Sequence, residues 1–143
     1  MKKRFLVGTL LVLISVAANA QSLSPALKLA VGRWQQVKSN GELGGQMEMY
    51  LQDGKLFGKI VKTSLPPTCD KCSGDLKGKP MIGLVAIRDF SPEGDTWTGG
   101  TMVDAESGKV YKGKIKAEGN NLLVRGFIGF SMIGRTETWK RVE

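Results

Sequence analysis

Histidine is absent from all 143 residues. That absence removes Ser-His-Asp and Cys-His pairs, His-ligated zinc and copper, and the commonest general base. Catalysis, if there were any, would fall to Asp, Glu, Lys, Tyr or Cys alone, and no catalytic motif joins them. No enzyme activity, catalytic residue, metal or cofactor is therefore expected. Cysteine is scarce as well: Cys69 and Cys72 are the only two, in a single C-x-x-C. Helical periodicity is missing beyond residue 31, and no apolar run reaches the roughly 20 residues of a transmembrane helix.

The longest apolar run, Phe5 to Ala18, follows the charged start M-K-K-R and precedes A-N-A at residues 18–20. A basic start, a short apolar middle and small residues at the cut are the parts of a secretory signal peptide. The expectation is cleavage after Ala20, leaving residues 21–143 as a single domain in the periplasm or outside the cell, with no membrane span. An uncleaved N-terminal anchor is the competing reading. Taking Lys2, Lys3 and Arg4 from the 21 basic residues leaves 18 against 13 acids, a net charge of +5. So modest an excess suits envelope lipids or glycans better than nucleic acid, and it is also what an ordinary solvated surface looks like.

What the chain does have is turn chemistry at short intervals. Ser24-Pro25 caps a short helix expected over residues 26–31. Then eight apolar or alternating runs follow, at 34–38, 46–52, 55–63, 81–90, 96–105, 110–117, 122–130 and 135–142. Asp53-Gly54, Ser91-Pro92-Glu93-Gly94-Asp95 and Gly119-Asn120-Asn121 are among the separators. Met47, Met49 and Leu51 fall on one face of their run; Tyr111, Ile115 and Ala117 fall opposite Lys112, Lys114 and Lys116. With no long helix to cover an open sheet, a meander of eight strands removes its exposed edges by closing. The expected fold is all-β: an eight-stranded antiparallel up-and-down barrel after a short N-terminal helix. A two-sheet sandwich is the alternative.

The C-x-x-C does not sit where a strand turns into a helix, as a redox dithiol would. Pro66-Pro67 precede it and Gly74, Gly78 and Pro80 follow. Zinc would need Asp70 and Asp75, or a second chain, to complete its ligands. A free or redox-active dithiol, a metal site and a structural disulfide all remain open. An oxidising compartment favours the disulfide, a staple for the loop from Leu65 to Pro80.

Longer segments carry a resemblance. G-K-I-V-K (58–62), C-D-K-C-S-G-D-L-K-G-K-P-M-I-G-L (69–84), W-T-G-G (97–100), G-K-V-Y-K (108–112), V-R-G-F-I-G-F (124–130) and G-R-T-E-T-W-K-R-V (134–142) form an ordered set. Together they resemble the exported bacterial family called domain of unknown function 2147, in its subgroup with a C-x-x-C ahead of the K-P strand. The resemblance implies a small lipocalin-like (calycin-type) barrel, with no activity to carry over. Gly32-Arg33-Trp34 is similar to the G-x-W that opens the first strand of lipocalin-type barrels. There the Trp plugs the closed end under an Arg from the last strand, a role for which Arg135 and Arg141 are candidates.

Two binding readings follow. In the first, the lumen holds a small apolar or amphipathic, lipid-like molecule against Met47, Met49, Leu51, Trp97, Tyr111, Ile115 and Phe127. An inward Arg125 would grip a carboxylate head group; an outward Arg125 leaves a neutral apolar ligand or none. In the second, an envelope interaction protein works through its surface or the basic cysteine loop, which carries Lys71, Lys77 and Lys79.

Overall fold

The computed structural model describes residues 8–13, 22–130 and 133–142. The proposed cut after Ala20 lies outside these residues. Among the described residues no helix is long and apolar enough to cross a membrane.

Eight antiparallel strands close into one barrel in sequence order: β1 (Gly32–Val37), β2 (Leu43–Gln52), β3 (Lys55–Lys62), β4 (Val85–Glu93), β5 (Thr96–Val103), β6 (Val110–Glu118), β7 (Asn121–Phe127) and β8 (Gly134–Val142). The sandwich alternative is not what forms. Closure is made by β1 on β8, with Arg33 opposite Val142 and Trp34 opposite Arg141. The β2–β3 hairpin turns on Asp53 and Gly54, both at positive φ, as a two-residue loop of this type requires.

Strand limits differ from the sequence expectation most at β2, which starts at Leu43 rather than 46, at β7, which stops at Phe127 rather than 130, and at both ends of β4. Residues 81–84 are not strand: Met81 and Leu84 are apolar because they pack under a loop, buried to 2% and 3% exposure. At the other end β4 runs on through Pro92, which faces Trp97 across the ladder. The N-terminal helix α1 (Pro25–Lys28) is also shorter than expected, capped by Ser24 Oγ accepting from Leu27 N at 3.3 Å.

Alternation is cleanest in β6, where Gly113, Ile115 and Ala117 are buried and Lys112, Lys114 and Lys116 are exposed. The core is the barrel interior. Trp34, Trp97, Phe90, Met49, Leu56, Ile115 and Leu122 are all essentially inaccessible. At about 25 cal/mol per Å² of apolar surface, such side chains contribute roughly 1.5–3 kcal/mol each.

The two ends of the barrel are built differently. At one, here the helix end, lie α1, the start of β1 and the tight hairpins β2–β3, β4–β5 and β6–β7. At the other, the loop end, lie residues 38–42, the long segment 63–84, residues 104–109 and the β7–β8 connection.

Candidate functional site

The helix end is sealed. Trp34 Nε1 donates to Ala30 O at 2.9 Å, and Trp97 Nε1 donates to Leu27 O at 3.1 Å. Both indole N–H groups thus find partners in the α1 turn, whose Leu27 and Ala30 are buried against the barrel floor. Arg141 lays its guanidinium 4.2 Å from the Trp34 ring centroid and donates to Leu29 O and Val31 O at 2.6 and 3.3 Å. Stacking of this kind contributes about 0.5–2 kcal/mol, and the hydrogen bonds satisfy carbonyls left open where the helix stops. Gly32 is at φ +130°, and a Cβ there would sit 3.0 Å from Arg141 Nη1, so glycine makes room for the stack. Of the two arginines expected as candidates, Arg141 takes this place. Arg135 lies at the loop end opposite Gly126, exposed.

The loop end is capped by the cysteine segment. Cys69 and Cys72 form a disulfide and are buried to 1% and 2% exposure within the core cluster, with Leu76, Met81 and Leu84. Backbone bonds fold the segment on itself: Cys69 N to Lys79 O, Gly78 N to Cys69 O, and Met81 N to Pro67 O. Cys69 Sγ reaches Ala105 O at 3.8 Å, and Gly108 lies so close to Lys71 O that any Cβ would overlap it. The segment therefore rests on the β5–β6 loop. A fork from Arg88 to Asp75, at 3.0 and 3.3 Å, ties it to β4. That hydrogen-bonded guanidinium holds the Asp75 carboxyl below its ordinary pKa. Across the same end Lys38 meets Glu106 at 3.1 Å, joining the β1–β2 and β5–β6 loops, and the bond raises the Lys38 pKa.

With both ends closed, the expected lumen residues divide. Met47, Met49, Trp97 and Ile115 face inward and are buried, and Tyr111 packs half-buried against them. They belong to one core cluster of buried side chains or pack against it. Leu51 is on the same face but at the helix-end rim, 38% exposed. Phe127 and Arg125 do not line the lumen. Their partners across β6 are Lys112 and Lys114, which point out, so they must point out too. Arg125 donates to Thr136 Oγ1 at 3.2 Å on the outer wall. The inward residues of β7 are Leu122 and Val124, and those of β8 include Trp139 and Glu137. These went unnoticed because alternation alone does not say which of two faces is inside. At the inner rim of the loop end, Gln36 Nε2 and Trp139 Nε1 both donate to Glu137 Oε1, at 3.2 and 2.9 Å.

Open space lies on the outside. A groove of about 240 Å³ runs between the cysteine segment and β4, floored by Leu76, Ile82, Leu84 and Val85, with Lys79 and Arg88 beside it. A second hollow of about 200 Å³ lies over the β5 register shift at Gly99-Gly100, between Lys112 and Phe127. Small-molecule sites typically run to about 300–1,000 Å³, so the groove suits the end of a ligand more than a whole one. Among the described residues no group of three or more Cys, Asp or Glu comes together as a metal site.

Closed barrel, short opening helix, G-x-W tryptophan and stacking arginine define a lipocalin-like β-barrel. The solved structure described as "Protein HP1028 from the human pathogen Helicobacter pylori belongs to the lipocalin family" is similar, with a TM-score of 0.70 at 20% identity over 80% of this chain and 83% of that one. The chain belongs to the family described as "Uncharacterized protein conserved in bacteria (DUF2147)", whose model matches residues 32–141. No curated protein matches it.

Proposed function

We propose that this is a non-catalytic, exported barrel of the bacterial envelope that binds apolar or amphipathic, lipid-like molecules at its loop end, outside a filled lumen. One observation carries the reading. Leu43, Ile82, Val110, Ile128, Phe130 and Ile133 lie at the loop end with 49–79% of their surface exposed, whereas the helix end exposes Leu29, Val31 and Leu51 at 37–45%. Apolar surface gathered at one end and left uncovered marks a place of contact. The signal-like N-terminus and the disulfide support export to an oxidising compartment, and the lack of histidine supports a binding role.

The groove beside the cysteine segment offers an amphiphile a seat. An alkyl end would lie on Ile82, Leu84 and Val85, and an anionic head would meet Lys79, since Arg88 is already forked to Asp75. Displacement of a fluorescent fatty acid tests this. The joint substitution Lys79→Gln and Ile82→Ser is expected to weaken binding by about tenfold, the loss of a charge-assisted contact, while Arg125→Ala binds as the parent does. No binding of any amphiphile by the parent protein overturns the reading.

A lumen ligand is the second reading, and one observation favours it. Met49 occupies space that Gly58 leaves bare, a Cβ on Gly58 falling 2.6 Å from its Sδ, and Met102 does the same over Gly113. Unbranched thioether chains repack readily, so these two are the side chains a ligand would displace. Its signature is stoichiometric lipid in an organic extract of the purified protein, with binding indifferent to Lys79→Gln and Ile82→Ser.

A further inference from the structure

We infer that the β7–β8 loop docks the protein on an anionic phospholipid surface, a proposal that rests on the loop end being the working end and names its partner there. Ile128, Phe130 and Ile133 are 64%, 79% and 73% exposed. Ile133 N donates to Phe130 O at 3.0 Å, which ties these two residues to each other. Nothing among the described residues covers them. Three large exposed apolar side chains within six residues are a poor arrangement for water and a good one for the boundary between headgroups and acyl chains.

The wall behind the tip supplies the second signal. On the outer face of β6 and β7, Lys112 pairs with Phe127 and Lys114 pairs with Arg125, and Lys116 continues the row. The sole carboxylate on the outer faces of β5 to β8 among the described residues is Glu118, at the far end and 3.6 Å from Lys116. At the loop end itself, Glu106 is paired with Lys38, and Asp104 holds its own loop through Glu106 N and Ser107 Oγ. Arg125 lies three residues before Ile128, about 10 Å along an extended chain. That is close to the depth at which interfacial apolar groups bury, roughly 5–10 Å, so an inserted tip brings the cations to the level of the phosphates. A single weak apolar anchor holds poorly, whereas an apolar anchor with a basic patch holds stably and selects anionic lipid.

Charge also argues against a second copy as the occupant. A symmetric pair through this tip would bring the lysine and arginine rows of two copies toward each other without a carboxylate row to answer them. A soluble small molecule would need a cavity, and Ile128, Phe130 and Ile133 line neither of the two described above.

Vesicle flotation of the purified protein tests the inference, with phosphatidylcholine alone and with phosphatidylcholine mixed with phosphatidylglycerol. The parent should float with the anionic vesicles and much less with the neutral ones. Ile128→Ser, Phe130→Ser and Ile133→Ser together should reduce flotation at least about tenfold while keeping the parent's urea midpoint. Lys112→Gln with Arg125→Gln should remove the preference for anionic vesicles, as added salt should. Equal flotation of the triple variant and the parent overturns the proposal, as does a parent that floats with neither vesicle. A parent that sediments as a dimer, split by the triple substitution and indifferent to vesicles, assigns the tip to a second copy instead. Fatty-acid displacement on the parent separates the two proposals: displacement without flotation sinks this one alone, and flotation without displacement sinks the groove alone.

Discussion

At the helix end, the seal is made by strand residues and one helical turn, with two indole N–H groups donated to carbonyls of the α1 turn and one guanidinium across two more. At the loop end the seal is an appended segment, 63–84, held by a disulfide, a surface ion pair and its own backbone bonds. The first is inseparable from barrel closure, because Arg141 and Trp34 face each other across the β1–β8 ladder. The second belongs to a connection between two strands that already pair without it, β3 and β4. A fold can vary the second without risking the first, and exposed Leu43, Ile82, Val110, Ile128, Phe130 and Ile133 lie at that second end.

Substitution at the two ends should therefore differ sharply. Trp34→Ala empties the floor of the barrel and should cost about 3–5 kcal/mol by urea denaturation, the range for deleting a buried aromatic side chain. Phe130→Ser, equally drastic in composition but 79% exposed, should stay within about 0.5 kcal/mol. Similar losses at both sites would abolish the distinction between the ends.

Replacing Cys69 and Cys72 together by Ala should leave the barrel folded and cost no more than about 2 kcal/mol, since the closed loop is short. Hydrogen exchange sharpens the comparison. Protection should fall for Cys69 N, Gly78 N and Met81 N, while the Trp34 and Trp97 indole N–H groups stay protected. Global loss of protection would mean that the cap is part of barrel closure after all.

The smallest effect concerns acid. Asp75 titrates below its ordinary value because Arg88 hydrogen-bonds to it. A carboxyl lowered on folding stabilises above its unfolded pKa of about 3.9 and loses that contribution as pH falls through the lower folded value. The Asp75–Arg88 tie should thus persist at neutral pH and be released only below about pH 4. Exchange of loop-end amides should rise there before the helix end responds, and Asp75→Asn should remove that step. Because Asp75 is exposed, the effect on overall stability should be slight.

Much of the fold was legible from residue pattern. Alternating Lys112, Lys114 and Lys116 put Tyr111 and Ile115 on the opposite face, and eight runs with no covering helix pointed to closure over a two-sheet sandwich. What stayed hidden depended on register. Arg135 and Arg141 have the same parity on β8, so alternation cannot choose between them; only the β1–β8 pairing puts Arg141 beside Trp34. Arg125 was undecided and Phe127 was expected inward, until pairing with Lys114 and Lys112 turned both outward. Met81 and Leu84 looked like strand because burial under a loop and burial in a sheet both call for apolar side chains. Residues 128–130 looked like the end of β7, where the strand in fact stops at Phe127.

The β1–β8 seam also has a history in time. β2 can pair with β1 as soon as the chain turns, but β8 is made about 100 residues later. At roughly 5–20 residues per second, β1 waits on the order of 5–20 s for its second neighbour. During that interval one edge of β1 offers open N–H and C=O groups, the template on which other extended chains add. Neither Arg141 nor Val142 can be supplied early, because both lie about 100 residues downstream of β1. Until the last strand arrives, β1 is paired on one side alone.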